Sequence, residues 1–144
     1  MTSSRTAGGA PAPVLSLSPV TLTVPGRAVP LQVRVSAPTT GDGLPVLLLS
    51  HGQGFSRHLS SLRGYAPLAD HYAAHGFVVL QATHLSSLSL DVPPVPDGPM
   101  HWRSRATDLT HVLDQLDAVE LALPSLLGRV DGRSVAVVGH SMGG

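Results

Sequence analysis

The sequence predicts an α/β fold that opens with an antiparallel pair of strands and continues as parallel β-α-β-α-β. Three observations carry this. Near the start, two stretches alternate strictly between apolar and polar residues. Later, residues 45–50, 77–82 and 135–138 form short continuous apolar runs, as expected for parallel strands covered on both faces. Helical patterns separate those runs, and strands alternating with helices make a layered α/β sheet.

Residues 1–13, MTSSRTAGGAPAP, are small, polar and proline-bearing, and read as a disordered leader to a domain spanning 14–144. A secretory signal needs an apolar stretch of roughly 7–15 residues after its basic start, and none follows Arg5. The expected location is therefore cytoplasmic. Val20, Leu22 and Val24 alternate with Thr21 and Thr23; Leu31, Val33 and Val35 alternate with Gln32, Arg34 and Ser36. With Pro25-Gly26 between them they read as a hairpin with one wet face. The helical pattern from Tyr65 to His75 starts with Pro67 in its first turn and stops at Gly76. A second, longer pattern over 101–123 carries Trp102, Ala106, Leu109, Leu113 and Leu116 as one apolar stripe, closed by Pro124. Residues 84–100 hold four prolines and no period, and are expected to form a long loop that walls a pocket.

Composition narrows the function. The 144 residues contain no Cys, which removes disulfides, thiolate metal sites and cysteine nucleophiles. Nine basic residues balance nine acidic ones, so no field exists to hold a nucleic acid backbone. No apolar run approaches the ~20 residues of a membrane helix. Charged residues make up 12% of the chain, against about 25% in an ordinary globular protein. Either the surface is coated with Ser, Thr, Gly and Pro, or the domain is incomplete.

The chemistry is concentrated at two turns. Gly139-His140-Ser141-Met142-Gly143 is a G-x-S-x-G directly after an apolar strand, the context a strained strand-to-helix turn requires to expose a serine nucleophile. Its bland alternative is a glycine-rich turn with Ser141 as a helix cap. Phosphate binding is excluded at both turns: a Walker loop needs Lys, which the chain lacks, and Gly52-Gln53-Gly54 meets Arg57 where a dinucleotide loop wants glycine. Ser50-His51-Gly52-Gln53-Gly54-Phe55 follows the first parallel run. An acyl-transfer site needs N–H donors aimed at the oxyanion, and position assigns these to Met142 and Gln53.

Four segments carry a family resemblance: LPVLLLSHGQGFSRH at 44–58, ADHYAAHGFVVLQATH at 69–84, RATDLTHVLDQLD at 105–117 and VDGRSVAVVGHSMGG at 130–144. They resemble the N-terminal half of α/β-hydrolases, most of all the branch of dienelactone hydrolases and platelet-activating-factor acetylhydrolase-like proteins. The resemblance implies an incomplete α/β-hydrolase fold ending at its nucleophile turn. It also implies cofactor-free hydrolysis of small carboxylic esters. Acyl transfer, peptidase and thioesterase chemistry use the same motif and stay open, and no oligomeric state is assigned.

A serine nucleophile needs a histidine to take its proton and an acid to orient that histidine. In this fold both follow the serine in the chain, yet only Met142, Gly143 and Gly144 come after Ser141. Asp108, Asp114 and Asp117 read as solvated or helix-pairing charges, and His51 as a structural hydrogen-bonding group. No complete triad is expected, and the 144 residues are expected to be inactive alone. His71 and His75, four apart on a helix, lack the glutamate of a zinc-protease motif, and His84 with Asp91 and Asp97 has no ligand spacing, so no metal is expected. The rival reading is a non-catalytic binding or structural protein built on the same fold.

Overall fold

The computed structural model describes residues 10–53, 57–58, 60–92 and 101–144. Most of the expected leader (residues 1–9) and much of the proline-rich loop (93–100) lie outside these residues. The described end of the leader is tied down: the Ala12 N–H donates to the Ala74 carbonyl and the Thr39 N–H to the Pro13 carbonyl, both at 2.9 Å.

The elements follow the predicted order: β1 (Val14–Leu22), β2 (Leu31–Pro38), β3 (Leu44–Ser50), α1 (Ala66–Ala74), β4 (Val78–Ala82), α2 (Trp102–Asp114), α3 (Leu116–Ala122) and β5 (Val130–Gly139). Five strands form one sheet in the order β1-β2-β4-β3-β5. β1 and β2 pair antiparallel, β2 and β4 antiparallel, and β4, β3 and β5 run parallel.

The apolar runs explain the layers. In β3, Val46 and Leu48 join the core under α2 and α3, together with Val112, Val119 and Leu126. Leu47 and Leu49 point to the opposite face and pack with Ala69 and Ala73 of α1. Alternate residues thus serve two cores, which is why the strand reads as uniformly apolar. Each such side chain contributes roughly 1.5–3 kcal/mol on full burial.

Three expectations change. The long helix is two helices, broken at Gln115 (φ −116°, ψ 29°), whose side-chain amide donates to the Thr23 carbonyl at 3.1 Å. There is no Pro or Gly at the break to signal it. The stripe is also misplaced at its start: Trp102 is 60% exposed, while Arg105, Asp108 and Val112 face inward. The first turns of α2 lie over the polar ends of the strands, so polar side chains are the ones that find partners there. Finally, β5 does not have two covered faces. Among the described residues it bonds only to β3, and Val135 and Val137 are exposed.

Candidate active site

Parallel strands of an open sheet place their chemistry beyond their C-terminal ends. Here β4 and β5 flank β3 and end level with it, Ala82 and Gly139 both being register partners of Ser50. β5 stops at Gly139, whose register partner is Ser50 at the end of β3, and the His140 N–H donates to the Ser50 carbonyl at 3.2 Å. The chain then turns at once into a single 3-10 turn, Ser141–Gly143.

Ser141 sits in the left-handed region at φ 54°, a conformation that costs a non-glycine residue on the order of 1–3 kcal/mol. Its glycine neighbours are required by packing. A Cβ on Gly143 would overlap the Ser50 carbonyl, and one on Gly139 would overlap the Gly143 carbonyl. The Gly143 N–H closes the turn on the His140 carbonyl at 2.9 Å. Met142 is half-buried in this turn, and the Ser141 side chain is exposed. No histidine is hydrogen-bonded to the Ser141 hydroxyl among the described residues.

The loop after β3 lies directly against this turn. A Cβ placed on Gly52 would stand 2.9 Å from the His140 carbonyl oxygen and 3.2 Å from the Ser141 Cβ. Gln53, next in the chain, is exposed and holds the Ser86 carbonyl through its side-chain amide at 3.1 Å. The fold therefore brings the two motif turns together. Gly54 and Phe55 of the loop lie outside the described residues.

Beneath the loop is a buried polar cluster that the sequence reading missed. The Asp108 carboxylate accepts from the His84 Nδ1–H at 2.9 Å and from the Arg27 Nε–H at 3.1 Å. With Nδ1 protonated, His84 Nε2 accepts from the Ser50 hydroxyl at 2.9 Å. The His84 backbone N–H donates to His51 Nε2 at 3.0 Å, and His51 Nδ1–H donates to the Gly52 carbonyl at 2.8 Å. Arg105 donates to the His51 carbonyl at 2.8 Å and to the Ser86 hydroxyl at 2.9 Å. Almost every polar group leading into Gln53 is thus held.

This corrects two expectations. Asp108 is neither solvated nor paired along its helix, but a buried anion between Arg27 and His84. A Ser–His–Asp set in hydrogen-bonding order does exist, as Ser50, His84 and Asp108. It is closed to substrate, however, with the three residues 1%, 0% and 2% exposed. The available signal was that Arg105, Asp108 and Val112 share one helix face, and a buried Val112 carries the other two inward. Asp114 and Asp117 are exposed.

Burial sets the protonation of the cluster. It pulls His51 down to about 4, with the nearby His84 and Arg105 acting in the same direction and the bond to the Gly52 carbonyl opposing. His84 is lowered as well, again chiefly by burial, against the pull of its bond to Asp108. Both histidines are therefore neutral near pH 7. Arg105 is lowered by burial and held up in part by Asp108.

Tyr65, immediately before α1, joins the two turns. Its phenolic oxygen accepts the Gly52 N–H at 2.9 Å and lies 2.7 Å from His140 Nδ1. Among the described residues no three acidic or histidine side chains are grouped to hold a metal ion. His71 and His75 stack with ring centres 4.5 Å apart, and His75 Nδ1–H donates to the His71 carbonyl at 2.8 Å. Asp91 pairs with Arg57 at the surface, and Asp97 lies outside the described residues.

No family model matches the chain. The platelet-activating factor acetylhydrolase of Cavia porcellus is 24% identical over an alignment of 140 residues that covers 73% of this chain and 31% of that protein. Among solved structures, the carboxylesterase EstE1 from a metagenomic library superposes with a TM-score of 0.62 at 23% identity, over 92% of this chain and 39% of its own. The esterase of Pyrobaculum calidifontis gives 0.58 at 22% identity, over 93% and 37%. The chain thus spans about a third of the acetylhydrolase and under two fifths of the esterases. These likenesses show the fold, and show it in part.

Proposed function

We propose, starting from an α/β-hydrolase fold of which this chain carries the leading part, that the site belongs to a serine hydrolase of carboxylic esters. One observation carries the reading: Ser141 is held at φ 54° at the tip of a strand-end turn, packed directly against Gly52 of the loop that follows β3. That pairing sets a strained, exposed serine against the loop that follows β3.

In this reading Ser141 Oγ attacks the ester carbonyl carbon and its proton passes to a histidine. The N–H groups of Met142 and Gln53 receive the charge that develops on the carbonyl oxygen. Expulsion of the alcohol leaves an acyl-serine, which water then cleaves. Such donors are each worth about 10²–10³ in rate where they have been removed one at a time. The buried cluster under the loop keeps Gln53 from wandering, so that its N–H is in place before the substrate arrives. The sequence supports a cytoplasmic setting and a small-molecule ester without a cofactor.

The second reading is a non-catalytic binding or structural protein that keeps the same turn. A fluorophosphonate probe separates the two. Labelling of Ser141 in the intact protein supports the hydrolase, and its absence overturns it. On the same reading the 144 residues alone do not turn over p-nitrophenyl acetate. Turnover that Ser141→Ala abolishes would refute that statement.

A further inference from the structure

Tyr65 has no part in the reading above, yet its hydroxyl is hydrogen-bonded to both turns. Its ring is buried in the core under α1 with Leu47, Leu49 and Val79, which fixes where the hydroxyl can go. The Gly52 N–H is a donor, so the phenolic oxygen must accept it. Among the described residues the phenol's own hydrogen then finds its acceptor in His140 Nδ1 at 2.7 Å. Were His140 Nδ1 protonated instead, two donors would meet at this oxygen and the O–H would be left without an acceptor among the described residues. The neutral His140 ring therefore carries its hydrogen on Nε2.

Backbone contacts bring loop and turn together, through the His140 N–H on the Ser50 carbonyl and the close approach of Gly143 to Ser50, and Tyr65 adds a side-chain link on the Gly52 side. Gly52 has no side chain to act as a spacer, and its surroundings would not accept one: a Cβ would come within 3.1 Å of His140 Nδ1. The Tyr65 ring meets the His140 ring edge-on at 5.8 Å between centres, and its hydroxyl is a side-chain link between the two turns.

We infer that Tyr65 is a positioning residue, a strut whose hydroxyl fixes the separation between the loop at Gly52 and the turn at His140, and holds His140 in its Nε2–H form. The consequence for catalysis rests on the hydrolase reading. Met142 and Gln53 can act on one oxygen only if the two turns keep a constant spacing, and the strut links Gly52, next to Gln53, with His140, two positions before Met142.

The test uses the 15N-labelled chain and Tyr65→Phe, which keeps the ring and deletes the link. Amide exchange at Gly52 should rise by about tenfold or more while exchange at Leu47 stays the same. The His140 ring signals should move from those of a single Nε2–H tautomer towards a mixture. Unchanged exchange and unchanged His140 signals in the folded variant overturn the strut. Should Tyr65→Phe fail to fold, the unsubstituted chain decides at pH 8: an Nε2–H tautomer supports the strut, and an Nδ1–H tautomer overturns it. These readouts do not involve the reactivity of Ser141. A Ser141 that resists fluorophosphonate overturns the nucleophile reading and leaves the strut standing.

Discussion

Asp108 of α2 and Arg27 of the β1–β2 turn meet across 81 positions of sequence, Oδ1 to Nε at 3.1 Å, with side chains only 2% and 3% exposed. A buried pair of this kind costs most when one partner is removed, because the other charge is left without compensation.

Asp108→Ala should therefore destabilise the fold by roughly 3–5 kcal/mol. Asp108→Asn retains an acceptor for His84 Nδ1–H and should fall short of that loss. Urea midpoints for the two variants check this. A drop under 1 kcal/mol for the alanine variant would mean that the pair is dispensable.

Stability should decline on acidification between the ordinary histidine range and about pH 4. The unfolded chain protonates His51 near pH 6.5 while the folded chain resists down to about 4, so between these values the unfolded state binds more protons. The contribution is complete above that window and is lost on the way down through it. Taken alone, His51 accounts for about 2 kcal/mol between pH 7 and pH 5, and the lowering of His84 adds in the same direction. Equal urea midpoints at pH 7 and pH 5 would contradict this.

Gly143→Ala should cost about 1–3 kcal/mol, because the added methyl meets the Ser50 carbonyl, a backbone atom of β3 that cannot give way. The turn relieves the overlap by leaving its seat, and Ser141 goes with it. Fluorophosphonate labelling in the intact protein should disappear. Retained labelling would show that the turn tolerates a side chain.

Val137→Lys, on exposed β5, should change stability by less than about 0.5 kcal/mol and slow aggregation. Val137 is 57% exposed beside an edge that no other described strand covers, and a charge there opposes pairing between chains. Light scattering at matched concentration reads the effect; unchanged aggregation would place the contact elsewhere.

Much of this was legible from periodicity. The alternation around Val20 and Val33 and the apolar runs at 46–49 and 78–80 report which faces are covered, and burial follows directly from that. The two motif turns were equally readable, since a glycine needed for close approach leaves its mark at fixed spacing. Gln115 was not readable, because a helix break held by one side-chain bond to Thr23 has no local signature. Asp108 was missed for a related reason. Charge in a helix is normally solvated, and only the positions of Arg27 and His84, both distant in sequence, reverse that. Tyr65 scored as a helix start because its two partners, Gly52 and His140, lie 13 and 75 positions away.

The order of the sheet has a kinetic consequence. Val46 pairs with Val78, 32 positions along, and with Val135, 89 positions along. Closing the longer connection costs about 1 kcal/mol more in chain entropy. Of the two pairings of β3, the one to β5 therefore carries the larger entropy cost, and the seat of the turn that holds Ser141 depends on it. The reverse path follows the same geometry. β5 can detach while the other four strands stay joined, so under stress the site would be lost before the body of the protein melts.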